Sequence, residues 1–273
     1  MPRKLAVLAG RGPLPKEVIG AARGAGRQVF VLAFEGETDP AVVEGVPHKW
    51  LPLGALGRAL QALHEAGAED VVMIGPVRRP SFSTMRLDLR GLQMLAKLGF
   101  RGQGDDRLLR VIVEELELEG FRVVGADDLV SPLLAPEALM TKLAPDEMAE
   151  RDISIGIRIA TRLGELDVGQ AVIVQNGLVL GVEAVEGTDR LLARCAELRR
   201  DGPGGILIKL KKPGQERRAD LPTVGPDTVR AAANAGLRGI AVHAGHCLMI
   251  AHEDLVAAAD RAGLFVIGIA VRG

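Results

Sequence analysis

The chain reads as α/β, with a parallel-sheet domain first and a mixed α/β domain second, and three observations predict this. Short runs rich in Val, Ile and Leu alternate with amphipathic stretches at helical spacing. Those runs are apolar without alternation, as strands buried on both faces must be. In the second half, Asn176 and Gly177 stand between two such runs, and this dipeptide favours the tight turn of an antiparallel hairpin.

Taken in order, Lys4 to Ala9, Gln28 to Ala33 and Asp70 to Ile74 are predicted strands, with helices over Pro15 to Gly24 and Leu56 to Gly67 between them. Gly10, Gly12 and Pro13 lie between the first strand and its helix, where backbone amides can face an anion; a plain tight turn accounts for them equally well. The full GxGxxG order is missing, and no acidic residue closes the second strand although Glu35 is near, which speaks against hydride transfer with a bound dinucleotide. Asp105 and Asp106 open a helix whose apolar stripe is Leu108, Leu109, Ile112, Val113 and Leu116; capping, worth about 1 kcal/mol, explains the acidic pair. Phe121 to Gly125 follows as a strand.

Pro132, Pro136 and Pro145 then interrupt regular structure. The expected division is therefore a first domain over 1–130, a linker over 131–146 and a second domain over 147–273. A helix over Asp152 to Leu163 precedes the hairpin strands Ala171 to Gln175 and Leu178 to Val185. Further strands are expected at Ile206 to Leu210, Ile240 to Val242 and Leu264 to Ile269, with helices at Thr228 to Ala235 and Glu253 to Ala262.

Composition narrows the function. With 34 Lys plus Arg against 35 Asp plus Glu, the net charge of -1 excludes a protein that coats nucleic acid by neutralising phosphates. Six Phe, one Trp and no Tyr leave few platforms for stacking bases. No run approaches the roughly 18 apolar residues a membrane-crossing helix needs, and the N-terminus lacks a secretory pattern, so a cytoplasmic location is expected. Cys195 and Cys247 stand far apart, outside any zinc or disulfide pattern. The serine-hydrolase GxSxG and the P-loop are both missing.

Polar residues concentrate in three loops, each after an apolar run: Gly75 to Phe82, Glu183 to Arg190 and Lys209 to Asp227. Arg78 and Arg79 leave the third strand side by side, and guanidinium pairs suit phosphate oxygens, though solvated loop charges look the same in sequence. The third loop interleaves Lys209, Lys211, Lys212, Arg217 and Arg218 with Glu216, Asp220 and Asp227. Phosphoryl chemistry needs both kinds, cations to neutralise phosphate and carboxylates to hold a hard metal or orient water. Gly187 lets Glu186 and Asp189 bend toward one cation, while Thr188 and Asp189 also suit a helix cap. His243, His246, Cys247 and His252 do not follow zinc spacing and read as structural.

The segments KLAVLAGRGPLP, GPVRRP, GDDRLLR, LDVGQAVIVQNG, EAVEGTDRLLAR, KKPGQERRADLPTVGPDT and AGLFVIG together resemble the Mg²⁺-dependent UDP-2,3-diacylglucosamine pyrophosphatases of Gram-negative lipid A synthesis. The resemblance runs nearly end to end. It implies a Rossmann-like N-terminal domain, a C-terminal catalytic domain peculiar to the family, and hydrolysis of UDP-2,3-diacylglucosamine to UMP and 2,3-diacylglucosamine 1-phosphate. The family's essential acid falls on Asp220. Glu216 stands where the family has Asp, and Ala219 replaces an aromatic residue. The expected site is then Asp220, Glu216 and Arg218 for catalysis, and Asp220, Glu186 and Asp189 for Mg²⁺, with Mn²⁺ as its substitute. Gly10, Gly12, Arg78, Arg79, Thr188, Lys209, Lys212, Gln215 and Arg217 are expected to bind substrate. A lipid substrate implies transient contact with the inner-membrane surface, no nucleic acid is expected as a partner, and homodimerisation is carried only as the general base rate.

Overall fold

In a computed structural model the described residues are 2–78, 86–98, 105–129, 133–213, 218 and 221–271. The chain divides into two units, Met1–Ser131 with Glu216–Asp220, and Pro132–Gln215 with Leu221–Gly273.

The first unit is built on β1 (Leu5–Ala9), β2 (Val29–Phe34), β3 (His48–Leu51), β4 (Asp70–Ile74) and β5 (Arg122–Val123), all parallel, in the order β3-β2-β1-β4-β5. Its helices are α1 (Leu14–Gly24), α2 (Leu56–Glu65), α3 (Leu89–Leu98), α4 (Asp105–Leu118) and α5 (Ala126–Leu129). Strands β1, β2 and β4 are the three apolar runs expected from the sequence. One face of this sheet, through Ala6, Phe30, Leu32 and Val71, packs on Leu60 and Leu63 of α2 and Val113 and Leu116 of α4. α4 begins at Asp105 as expected; the Asp105 and Asp106 side chains lie outside the described residues. β3 was not expected, because it is an edge strand with exposed His48 and Lys49 and only Leu51 buried.

Asp70, the first residue of β4, is a carboxylate with a fully buried side chain. Arg122 grips it with two hydrogen bonds of 2.8 Å, and Arg27 makes a third, short contact. Burial opposes its charge, but the bonds from Arg122 and Arg27 outweigh that and hold the carboxyl below its usual range.

The second unit contains β6 (Ala171–Gln175), β7 (Leu178–Val182), β8 (Ile206–Lys209), β10 (Gly239–His243) and β12 (Phe265–Ile269) in the order β12-β10-β8-β6-β7. β9 (Thr223–Val224) and β11 (Leu248–Met249) form a separate parallel pair. On one sheet face lies α6 (Glu147–Glu165), whose Ala149, Ile153 and Ala160 meet Val172, Val174, Ile206 and Ile208. The opposite face carries α7 (Thr188–Ala196), α8 (Pro226–Asn234) and α9 (His252–Ala262), packed on Ile173, Leu207, Ile240 and Val266. Alternate residues of one strand thus feed two cores, which is why these strands read as unbroken apolar runs.

β6 and β7 form the expected antiparallel hairpin, with φ of 50° at Asn176 and 78° at Gly177 as its tight turn requires. Asp152 of α6, almost wholly buried, accepts from both turn amides, Asn176 at 2.9 Å and Gly177 at 2.7 Å. The stretch expected to link the domains runs along the second unit, with bridges from Leu134 to Leu248 and from Leu139 to Ile267. Cys195 and Cys247 are free and buried here, and burial raises both thiols, Cys247 to about 12.

Candidate functional site

In the first unit the strand order reverses direction between β1 and β4, so the loops leaving their carboxyl ends part to opposite sides. In open parallel sheets such a divergence is where ligands collect. The two loops touch before they part: Gly10 N donates to Ile74 O at 2.7 Å and Arg11 N to Pro76 O at 2.9 Å. A Cβ on Gly10 would stand 2.3 Å from the carbonyl oxygen of Gly75, so glycine is required by backbone proximity. The Gly10 amide, expected to face substrate, is therefore committed to the sheet. Gly12, at φ +82° with open space around it, makes the turn into α1. Pro13 caps that helix and Pro15 lies in its first turn, which removes two of the amides a helix N-terminus ordinarily offers an anion.

Glu37, which the sequence did not single out, braces these loops. It receives Arg11 Nε at 2.7 Å and Arg11 Nη2 at 3.1 Å, and the backbone amide of Arg78 at 2.9 Å. Burial opposes its charge, but the bonds from Arg11 and the Arg78 amide prevail and hold its carboxyl below the usual range. Arg78 is thereby fixed by its backbone while its side chain stays exposed. Arg79 lies outside the described residues.

In the second unit β8, β10 and β12 are parallel, and β7, reversed twice through β6, runs with them. The carboxyl ends of all four strands open at one edge, so the second and third polar loops start from the same side of one sheet. At the end of β7, buried Glu183 accepts from Gln170 N at 3.0 Å and from Thr188 Oγ1 at 2.6 Å. Thr188, expected to bind substrate, thus spends its hydroxyl proton within the loop. Gly187 has the positive φ, 79°, that the sequence required. Glu186 pairs with Arg194 at 2.8 Å and accepts from Ala184 N at 3.1 Å; backbone bonds first, then Arg194, hold its carboxyl low. Asp189 is exposed in the first turn of α7. Among the described residues no three His, Cys, Asp or Glu side chains converge as metal ligands.

Lys209 ends β8 and is 7% exposed. Its ammonium donates to the neutral carbonyl of Thr223 at 3.0 Å, and among the described residues it has no carboxylate partner. A buried ammonium is ordinarily held by an acidic group, so this position favours an anion. Lys212 pairs with Asp167 at 2.6 Å, across the loop before β6, where Asp167 adopts φ of 53°. His243 ends β10. Its ring centroid lies 4.5 Å from that of His246, and its buried Nδ1 makes no hydrogen bond. Burial, His246 and Lys211, in that order, push His243 down to about 4, so it is neutral near pH 7.

Of the remaining site residues, Arg218 pairs with Glu117 of α4 within the first unit. Gln215, Glu216, Arg217 and Asp220 lie outside the described residues. Glu37 and Asp167 went unnoticed in the sequence because each acts through partners in other loops, and Glu183 was marked only as the start of a polar loop. His243 was read from the sequence as structural, and it closes the apolar run of β10.

Family models for the LpxI N-terminal domain and the LpxI C-terminal domain match residues 4–133 and 136–267. The chain is 40% identical over 274 residues to the UDP-2,3-diacylglucosamine pyrophosphatase LpxI of Caulobacter vibrioides, covering 98% of each protein. Among solved structures it aligns weakly with the biotin carboxylase domain of the Hydrogenobacter thermophilus 2-oxoglutarate carboxylase, at 14% identity and a TM-score of 0.27, over 72% of this chain and 40% of that one. The ADP complex of an N5-carboxyaminoimidazole ribonucleotide synthetase gives 20% identity and a TM-score of 0.23, over 68% of this chain and 52% of that one. Structural similarity so low carries no weight beside the sequence. With both domains matched in order and the likeness running from one end to the other, the chain belongs to the LpxI family.

Proposed function

We propose that the chain hydrolyses the pyrophosphate bond of UDP-2,3-diacylglucosamine, giving UMP and 2,3-diacylglucosamine 1-phosphate, a step of lipid A synthesis. The observation that carries this is the 40% identity to an enzyme named for that substrate, over 98% of both chains. The geometry is in keeping with it. Lys209 brings a buried cation to the sheet edge from which the two acidic-and-basic loops depart, and a charge-assisted bond to a phosphate oxygen would satisfy it. Lys212, set by Asp167, leaves the same strand.

Asp220 is proposed as the essential acid, with Glu216 and Arg218 beside it. Mg²⁺, with Mn²⁺ as substitute, is proposed as the cofactor, but the described residues alone do not fit it: Glu186 is held by Arg194, and no trio of ligands converges. Among the described residues no helix is long and apolar enough to cross a membrane. The two acyl chains, at about 0.8 kcal/mol per buried methylene, resist leaving the bilayer, so the enzyme is proposed to meet its substrate transiently at the membrane surface.

Incubation with UDP-2,3-diacylglucosamine, with and without Mg²⁺, followed by mass analysis of the products, tests the reading. UMP and the lipid monophosphate are expected in equal amounts. Tight binding with no products would make this a carrier instead, and equal efficiency on UDP-glucosamine would remove the acyl chains from the specificity.

A further inference from the structure

The turn that carries the chain from α6 into β6 holds the roots of both polar loops of the second unit. Gln170 O accepts from Leu210 N at 2.9 Å, and Ala171 stands opposite Lys209 in the sheet, so the third loop is tied down where β8 ends. The last turn of α6 abuts the residues that follow: a Cβ on Gly164 would stand 2.8 Å from Pro213 Cδ and 3.1 Å from Lys212 Cα. Lys212 Nζ then donates to Asp167 Oδ1 at 2.6 Å, with the lysine side chain 14% exposed and the carboxylate 34%. On the side of the second loop, Gln170 N donates to Glu183 Oε2 at 3.0 Å, and a Cβ on Gly169 would stand 2.1 Å from Glu183 O.

Asp167 is a costly residue for this position. It follows Leu166, the C-cap of α6, in the left-handed region at φ 53°, where glycine or asparagine is the ordinary choice. A carboxylate there also faces the negative end of the helix, which favours cations. The turn itself needs only the backbone, since Asp167 N donates to Gly164 O at 3.0 Å whatever the side chain. What the carboxylate adds is its bond to Lys212. An ion pair whose carboxylate is a third exposed contributes little to stability, so its use lies in where it puts the ammonium.

We propose that Asp167 is a positioning residue for the hydrolysis: it holds the Lys212 ammonium at the root of the loop that leads to Asp220, so that the cation meets the diphosphate already aimed. This rests on the reading that Lys212 binds the diphosphate of the substrate. Lysine has many rotamers, and freezing them on binding weakens the contact; a carboxylate that restricts them beforehand leaves less to lose. Gly164 fixes where the Lys212 side chain starts, and Asp167 fixes where it ends. Asp167 acts through Lys212 and need not touch the substrate.

The test is a cycle of full-length proteins: the parent, Asp167→Asn, Lys212→Ala and the double variant. Each is measured for kcat/KM on UDP-2,3-diacylglucosamine with Mg²⁺, for the Kd of UDP by calorimetry, and for Tm. Asp167→Asn should lower kcat/KM about tenfold, chiefly through KM, and weaken UDP by a similar factor. Its Tm should equal or exceed the parent's, because Asn suits the turn and removes a charge from the helix end. Lys212→Ala should cost about thirtyfold in both measures, as loss of a charge-assisted bond does. In that background Asp167→Asn should change neither by more than about twofold, since its route of action is gone. Lys212→Gln serves where the truncated variant fails to fold.

A lowered Tm with unchanged kcat/KM in Asp167→Asn would show that the pair serves the fold. Equal losses from Asp167→Asn in both backgrounds would show that it does not act through Lys212. Either result overturns the proposal. Turnover of the lipid substrate with such an additive cycle defeats the positioning role alone. UDP affinities that keep the coupling in a chain that hydrolyses nothing defeat the hydrolase reading alone, and a chain that neither hydrolyses the substrate nor binds UDP defeats both.

Discussion

One carboxylate of α6 holds the hairpin of the second unit, since Asp152 accepts from both amides of the Asn176-Gly177 turn. Asp152→Ala leaves those donors to water and a gap in the core, at a cost of about 2 kcal/mol, which a lowered urea midpoint will report. An unchanged midpoint would show that the turn needs no such anchor. If Asp220 is the proposed essential acid, Asp220→Ala should behave oppositely, with turnover falling at least about a hundredfold and stability holding within about 0.5 kcal/mol. Turnover within tenfold of the parent rejects that role. Asp220, which lies outside the described residues, was singled out by type and motif. Glu37 was not: its partners Arg11 and Arg78 lie 26 and 41 positions away, and only the folded sheet brings them together.

Among elements, those buried on both faces declared themselves as apolar runs, and β3, β9 and β11 did not. β3 is a polar edge strand, and the other two are two residues each, too short for any periodicity. The meeting of the β1 and β4 loops gives a test at this scale. Gly10→Ala would force a methyl group to 2.3 Å from a backbone oxygen, whereas Gly12→Ala meets open space and only an unfavourable φ. The first should cost more than the second, about 3 kcal/mol against about 1, by denaturant unfolding. Equal losses would mean that the loops part easily.

For the whole molecule, acid stability follows from buried carboxylates. The folded-state value of Asp70 lies below its unfolded value near 4, so its contribution is complete above that pH and disappears as pH falls through the lower, folded value. Glu37 acts in the same sense. Asp70→Asn should lower stability at neutral pH, because Arg27 and Arg122 lose their anion, and should flatten the fall between about pH 5 and about pH 2. Urea midpoints measured across that range check both effects; a slope identical to the parent's would remove Asp70 from the account.

The placement of two rare residue types has a practical consequence. The single Trp of the chain, Trp50, lies in β3 of the first unit, and both cysteines lie buried in the second. Indole fluorescence therefore watches one unit, while the rate at which a thiol reagent reaches Cys195 and Cys247 watches the other, with no label engineered into either. If the units open independently, fluorescence will shift at a denaturant concentration where the thiols remain protected, or the reverse. If they unfold as one cooperative body, the two curves will superimpose, and a destabilising change in the first unit such as Gly10→Ala will speed thiol modification in the second.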